Sequence, residues 1–224
     1  MNLKWLNKNG KSRLVLFCNG WGMDENPFQP LKVYDYDLLM IYDYHDFESS
    51  IAIDQIFEPY EEVILIGWSM GVWVGQLLFG EYGDRLTDAI AINGTLAPID
   101  DQCGIPRQIF KQTYTDFNEQ TRLNFYRRMC RDKKILSRFL VHQPVRSLQS
   151  QRLELDSFLQ DCQNIPVENS IYSQVIVALK DFVMPTSHQL HFWPKNSIHK
   201  LDGYHFLFYG WHSWDGMIEE IIIR

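Results

Sequence analysis

Two kinds of hydrophobic spacing divide this chain of 224 residues. The first is a short apolar run, rich in Val, Ile and Leu and bounded by turn-forming residues, which reads as a buried strand. Such runs stand at 13–18, 37–42, 63–66, 86–93, 174–179 and 197–201, with a weaker edge-strand candidate at 3–6. The second is the helical spacing of i, i+3 and i+4. It is brief at 50–60, where Ile51, Ile53, Ile56 and Phe57 are apolar, and at 72–79, and it closes the chain at 213–223. Between 105 and 162 it runs on without a convincing strand. There Phe110, Tyr114 and Phe117 share one face, Leu123, Tyr126 and Arg127 another, and Leu136, Phe139, Leu155 and Phe158 continue the pattern. Strands that are apolar throughout and alternate with helices predict an α/β fold, its mostly parallel sheet covered on both faces. The helical block predicts a cap at 98–164 inserted into a core of 1–97 and 165–224, one domain overall.

Composition leaves that picture standing. Hydrophobic residues at 46% and charged residues at 22% are ordinary for a globular domain, and 14% aromatics suit an apolar pocket. Cys18, Cys103, Cys130 and Cys162 lie far apart and form no C-x-x-C pair, so they read as free thiols, not as a metal site or disulfide framework. The apolar run after Lys4, Lys8, Lys11 and Arg13 is shorter than the roughly 7–15 residues of a secretion signal. No run nears the roughly 18 residues of a membrane span. A cytoplasmic protein that needs no cofactor is expected.

Charge adds more. The net charge is −7, yet between 104 and 155 eleven Lys and Arg face only four Asp and Glu. That island carries +7 and leaves −14 on the rest. It predicts an anionic partner met at one place and argues against a general nucleic-acid binder.

The candidate chemistry centres on 63–71. Four β-prone residues run into Gly67-Trp68-Ser69-Met70-Gly71, and a helix-spaced segment follows at once. Strand, sharp turn and helix around Gly-x-Ser-x-Gly resemble the nucleophile elbow of α/β-hydrolases, in which the turn lifts the serine hydroxyl out of the sheet. In that fold an acid and then a histidine follow the serine along the chain. Asp181 sits just past the strand at 174–179 and is the better acid; Asp202, close to the histidine loop, is the rival. His205, in Gly203-Tyr204-His205-Phe206 after the last strand, is the best base; His45 precedes the serine, and His188, His191, His199 and His212 are off the expected loop. An oxyanion intermediate needs backbone N–H donors. Met70, after the nucleophile, supplies one. Trp21, in the loop after the first buried strand, supplies the other, or is simply a core residue.

Together, Asn19-Gly20-Trp21-Gly22-Met23, Gly67-Trp68-Ser69-Met70-Gly71 and Gly203-Tyr204-His205-Phe206 resemble the esterases that demethylate pimeloyl-acyl-carrier-protein methyl ester in biotin synthesis. The small size, the Asn-Gly-Trp-Gly loop and Asp43-Tyr44 are similar to the BioG type more than to the BioH type. The resemblance implies a serine carboxylesterase with Ser69, Asp181 and His205 as triad and Trp21 and Met70 as oxyanion donors. It also implies an acyl carrier protein as partner. Carriers are acidic, so Arg122, Arg127, Arg128, Arg131 and Arg138 of the basic island are the docking candidates. Two departures stand out: Asn19 where many hydrolases have His, and Val72 where a third glycine is common. A small-ester carboxylesterase or acyl thioesterase would use the same triad without carrier docking. A non-catalytic module binding an acidic protein is the reading from a different class.

Overall fold

A computed structural model describes residues 1–46, 53–194 and 198–222. The apolar runs become one seven-stranded sheet: β1 (Asn2–Asn7), β2 (Arg13–Cys18), β3 (Asp37–Tyr42), β4 (Glu62–Trp68), β5 (Asp88–Ile92), β6 (Gln174–Ala178) and β7 (Ile198–Leu201). Their order across the sheet is β1-β3-β2-β4-β5-β6-β7. Edge strand β1 runs antiparallel to β3, and every other pair is parallel. The central strands are apolar on both faces because both faces are covered; Leu14 to Cys18 are wholly buried. Leu86, Thr87, Asn93 and Leu179, expected in strands, lie outside them, and Leu179 is exposed. Of the helical period at 50–60, α1 (Ile53–Phe57) is helix and 58–60 lie past its end, while residues 50–52, Ser197 and Ile223 fall outside the described residues.

Helix α2 (Met70–Phe79) departs from its expected amphipathic form. It is buried on nearly every side, with only Leu77 well exposed. Glycine permits this close approach: a Cβ on Gly71 would lie 2.1 Å from the Cys18 carbonyl oxygen, inside β2. Trp73, on the far side, packs against Phe158.

Between β5 and β6 come α3 (Arg107–Thr115), α4 (Glu119–Cys130), α5 (Lys133–Val141) and α6 (Leu148–Asp161). The breaks between them are written in cap residues. Asn118 accepts hydrogen bonds from the Gln120 and Thr121 amides, Asp132 from Lys134 and Ile135, and Ser147 from Ser150. Such caps typically contribute ~1 kcal/mol each. Phe110, Phe117, Tyr126, Phe139, Leu155 and Phe158 face inward, whereas Arg127 points to solvent and does not share the buried face of Tyr126. The Ile165 amide donates to the Leu96 carbonyl at 2.9 Å, so the chain returns to the sheet beside the point where it left. Helix α7 (Thr186–Phe192) carries no hydrophobic period and was not expected; α8 (Trp214–Ile222) closes the fold, Trp214 resting on Phe17 and Phe28.

Candidate active site

Ser69 stands between β4 and α2 with φ +57° and ψ −122°, a conformation a non-glycine residue holds only when its surroundings impose it. The Ser69 amide donates to the Ile92 carbonyl at 2.9 Å, which ties the turn to the next strand. A Cβ on Gly67 would lie 2.7 Å from Val72 Cα, and one on Gly94 would lie 2.4 Å from the Ser69 carbonyl oxygen. The bend is thus packed on three sides, and Ser69 Oγ is aimed at one imidazole. Oγ lies 3.0 Å from His205 Nε2, and His205 Nδ1 lies 2.7 Å from Asp181 Oδ2. All three residues are buried.

The carboxylate of Asp181 is held before it meets the imidazole. Its Oδ1 accepts from the Val183 amide at 2.8 Å and the Met184 amide at 3.1 Å, and its Oδ2 also accepts from Gln189 Nε2 at 2.9 Å. An ionised carboxylate only accepts, so Nδ1 carries the imidazole proton and Nε2 is left to accept from Ser69. The rival Asp202 is an exposed residue paired with Lys180 at 2.7 Å. Asn93, at φ +47°, fixes the histidine loop: its Nδ2 donates to the His205 carbonyl at 2.9 Å and its Oδ1 accepts from the Ala178 amide at 2.7 Å. Trp68 Nε1 donates to the same His205 carbonyl at 3.1 Å. The sequence gives neither Asn93 nor Gln189 a part in the site. Asn93-Gly94 at a strand end is a signal for a left-handed turn, but Gln189 offers none, since its helix was not expected.

An apolar cleft over Ser69 is lined by Gly20, Trp21, Met70, Phe110, Phe125 and Leu155, with Arg128 in its wall. The Trp21 ring is buried against Phe117 and Phe125, as a core residue would be, and Trp21 also lines the cleft. The Trp21 and Met70 amides donate to no other described residue. Asn19 takes a structural part, its Oδ1 accepting from the Gly20 amide at 2.8 Å. Thr113, Phe125 and Arg128 also line a groove of about 310 Å³ between α3 and α4 that adjoins the cleft.

The five arginines are not equivalent. Arg127, Arg131 and Arg138 are exposed, the latter two over the rings of Phe182 and Tyr209. Arg122 is half-buried, donating to Glu119 at 2.5 Å and to the Arg146 carbonyl at 3.3 Å. Arg128 is half-buried too, and burial draws its pKa down. No described helix is long and apolar enough to cross a membrane.

A protein of Bacteroides fragilis (strain 638R) named malonyl-[acyl-carrier protein] O-methyltransferase is 34% identical over 200 residues, which cover 88% of this chain but only 40% of that protein's length. The crystal structure of BioG from Haemophilus influenzae superposes with a TM-score of 0.85 at 30% identity, covering 96% of this chain and 99% of that one. A lipase-esterase related protein from Clostridium acetobutylicum, at 18% identity and a TM-score of 0.65 over 98% of this chain and 97% of that one, shares the α/β-hydrolase fold. The sequence also matches, over residues 1–217, the family described as pimeloyl-ACP methyl esterase BioG, and it is to this family that the chain belongs.

Proposed function

We propose that this protein is a serine carboxylesterase that hydrolyses the methyl ester of pimeloyl-acyl carrier protein, leaving pimeloyl-acyl carrier protein and methanol, in biotin biosynthesis. The observation that carries the reading is the unbroken line of contacts from Ser69 Oγ through His205 to the pinned carboxylate of Asp181. Ser69 attacks the ester carbonyl while His205 Nε2 takes its proton; Asp181 holds the tautomer and stabilises the imidazolium. The tetrahedral oxygen receives the N–H groups of Trp21 and Met70, each such donor worth typically ~3 kcal/mol in the transition state. Collapse breaks the bond to methoxide, which takes the proton from His205 and leaves as methanol. Water gives a proton to the same imidazole as it attacks the acyl-enzyme; the bond to Ser69 Oγ then breaks, Oγ takes the proton back from His205, and the free acid leaves.

The acyl chain reaches Ser69 through the groove between α3 and α4, under a cap formed by residues 98–164. Arg127, Arg131 and Arg138 offer the acidic carrier an exposed basic face, while Arg122 supports the helices and Arg128 meets the acyl arm inside the cleft. The methyltransferase name belongs to a relative of which this chain spans 40%, so it describes a larger protein. A fluorophosphonate tests the chemistry. It should label the wild type once, at Ser69, and should leave Ser69→Ala unlabelled; a folded wild type that resists the reagent would instead fit a binding module.

A further inference from the structure

A second buried polar cluster lies behind the oxyanion turn, away from Asp181. Glu154, on the inward face of α6, is wholly buried. Its Oε2 accepts from the Gly22 amide at 3.0 Å and from Arg146 Nη1 at 2.6 Å, and its Oε1 accepts from the Tyr44 amide at 3.3 Å. Arg146, just before α6, also donates to the Asp43 carboxylate and to the Met23 carbonyl, the latter at 3.3 Å. One turn before Glu154, Gln151 Nε2 donates to the Gly22 carbonyl at 2.7 Å, and the Gln151 carbonyl accepts from Trp21 Nε1 at 2.8 Å. Four hydrogen bonds thus run from Trp21, Gly22 and Met23 to Arg146, Gln151 and Glu154.

These bonds bear on the peptide plane that matters. The Trp21 N–H shares its plane with the Gly20 carbonyl, which among the described residues accepts from the Met23 amide alone, at 3.4 Å. That plane is therefore fixed from its two sides. Asn19 Oδ1 holds the Gly20 amide before it, and Glu154 and Gln151 hold Gly22 after it. Gly22 has φ +76°, a conformation a glycine leaves easily once its amide is released. Burying a charged pair in a core seldom adds stability over apolar packing of the same volume. Its distinctive product here is a fixed acceptor opposite one amide.

We propose that Glu154 and Gln151 are positioning residues for the oxyanion turn, holding Gly22 so that the Trp21 N–H points at the acyl oxygen. This rests on Ser69 being the nucleophile. The test uses Glu154→Gln, which keeps the shape and removes the charge, and Gln151→Met, which removes the side-chain bond to the Gly22 carbonyl and leaves the backbone bond from Trp21 Nε1 in place. Turnover of pimeloyl-carrier methyl ester is measured per active site, counted by fluorophosphonate titration, alongside inhibition by an alkyl trifluoromethyl ketone that forms a tetrahedral adduct. Each folded variant should lose kcat by on the order of 10- to 100-fold with KM changed by less than about 3-fold, and ketone affinity should fall in step with kcat/KM. Folded variants with wild-type kcat per active site, or with reduced kcat and unchanged ketone affinity, would overturn the proposal. If Glu154→Gln does not fold, Gln151→Met decides by the same two readings. A wild type that neither labels nor turns over would instead remove the serine reading on which the proposal stands.

Discussion

At the scale of single residues, the proposed chemistry depends on atoms held in place before a substrate arrives. Asp181 accepts four hydrogen bonds, counting His205, so its carboxylate has little freedom to rotate away. Asp181→Asn would keep the contact but can hold the imidazole in the wrong tautomer, with Nδ1 accepting and Nε2 protonated. Steady-state kinetics should show kcat reduced on the order of 10⁴-fold with KM little changed; a loss under about 10-fold would remove Asp181 from that part. Ser69 and His205 could be named from sequence because each sits in a local signature, a Gly-x-Ser-x-Gly turn and a loop after the last strand. Asn93, Gln189 and Glu154 could not. Asn93-Gly94 signals a turn but not the His205 carbonyl that Asn93 meets 112 positions on, and nothing beside Gln189 or Glu154 announces Asp181 or Gly22, 8 and 132 positions away.

Among the elements, the strands were the most legible because burial on both faces leaves a continuous apolar run that few other structures produce. β2 and β3 fall where the pattern puts them. The helices were less so. α2 lost its period because the sheet and α6 cover opposite sides of it, and α7 is a short polar helix whose Gln189 is buried for a hydrogen bond, not for packing. Polar residues also fasten strands. Asp37, at the start of β3, accepts from the Asn9 amide at 2.7 Å, the Lys11 amide at 3.3 Å and the Tyr60 hydroxyl at 3.0 Å. Burial pulls its pKa up, but these hydrogen bonds outweigh it and hold the carboxyl below 3.8. An acid with a lower pKa folded than unfolded stabilises the fold above its unfolded pKa, and that contribution is lost as pH falls through the folded value. Asp37→Asn should therefore lower the urea midpoint at pH 7, with the gap to wild type shrinking below about pH 4. A gap unchanged across that range would mean the carboxylate charge plays no part.

For the whole molecule, the sheet brings Ser69, His205 and Asp181 together, and helices between β5 and β6 line the cleft above them. The basic island seen in the sequence is divided by the fold: part of it pairs or lines the cleft, and Arg127, Arg131 and Arg138 remain outside. Reversing those three to Glu should raise KM for carrier-bound ester by about 10-fold or more and leave a free short ester unaffected, and high salt should bring wild type toward the variant. Equal KM values would remove this face as the docking surface. The most direct test weighs the carrier itself. After incubation with the enzyme, intact-mass spectrometry of pimeloyl-carrier methyl ester should show the carrier lighter by one methylene, its acyl chain still attached, with wild type and not with Ser69→Ala. A carrier left at its original mass, stripped of the whole acyl chain, or demethylated equally by Ser69→Ala would contradict the reading.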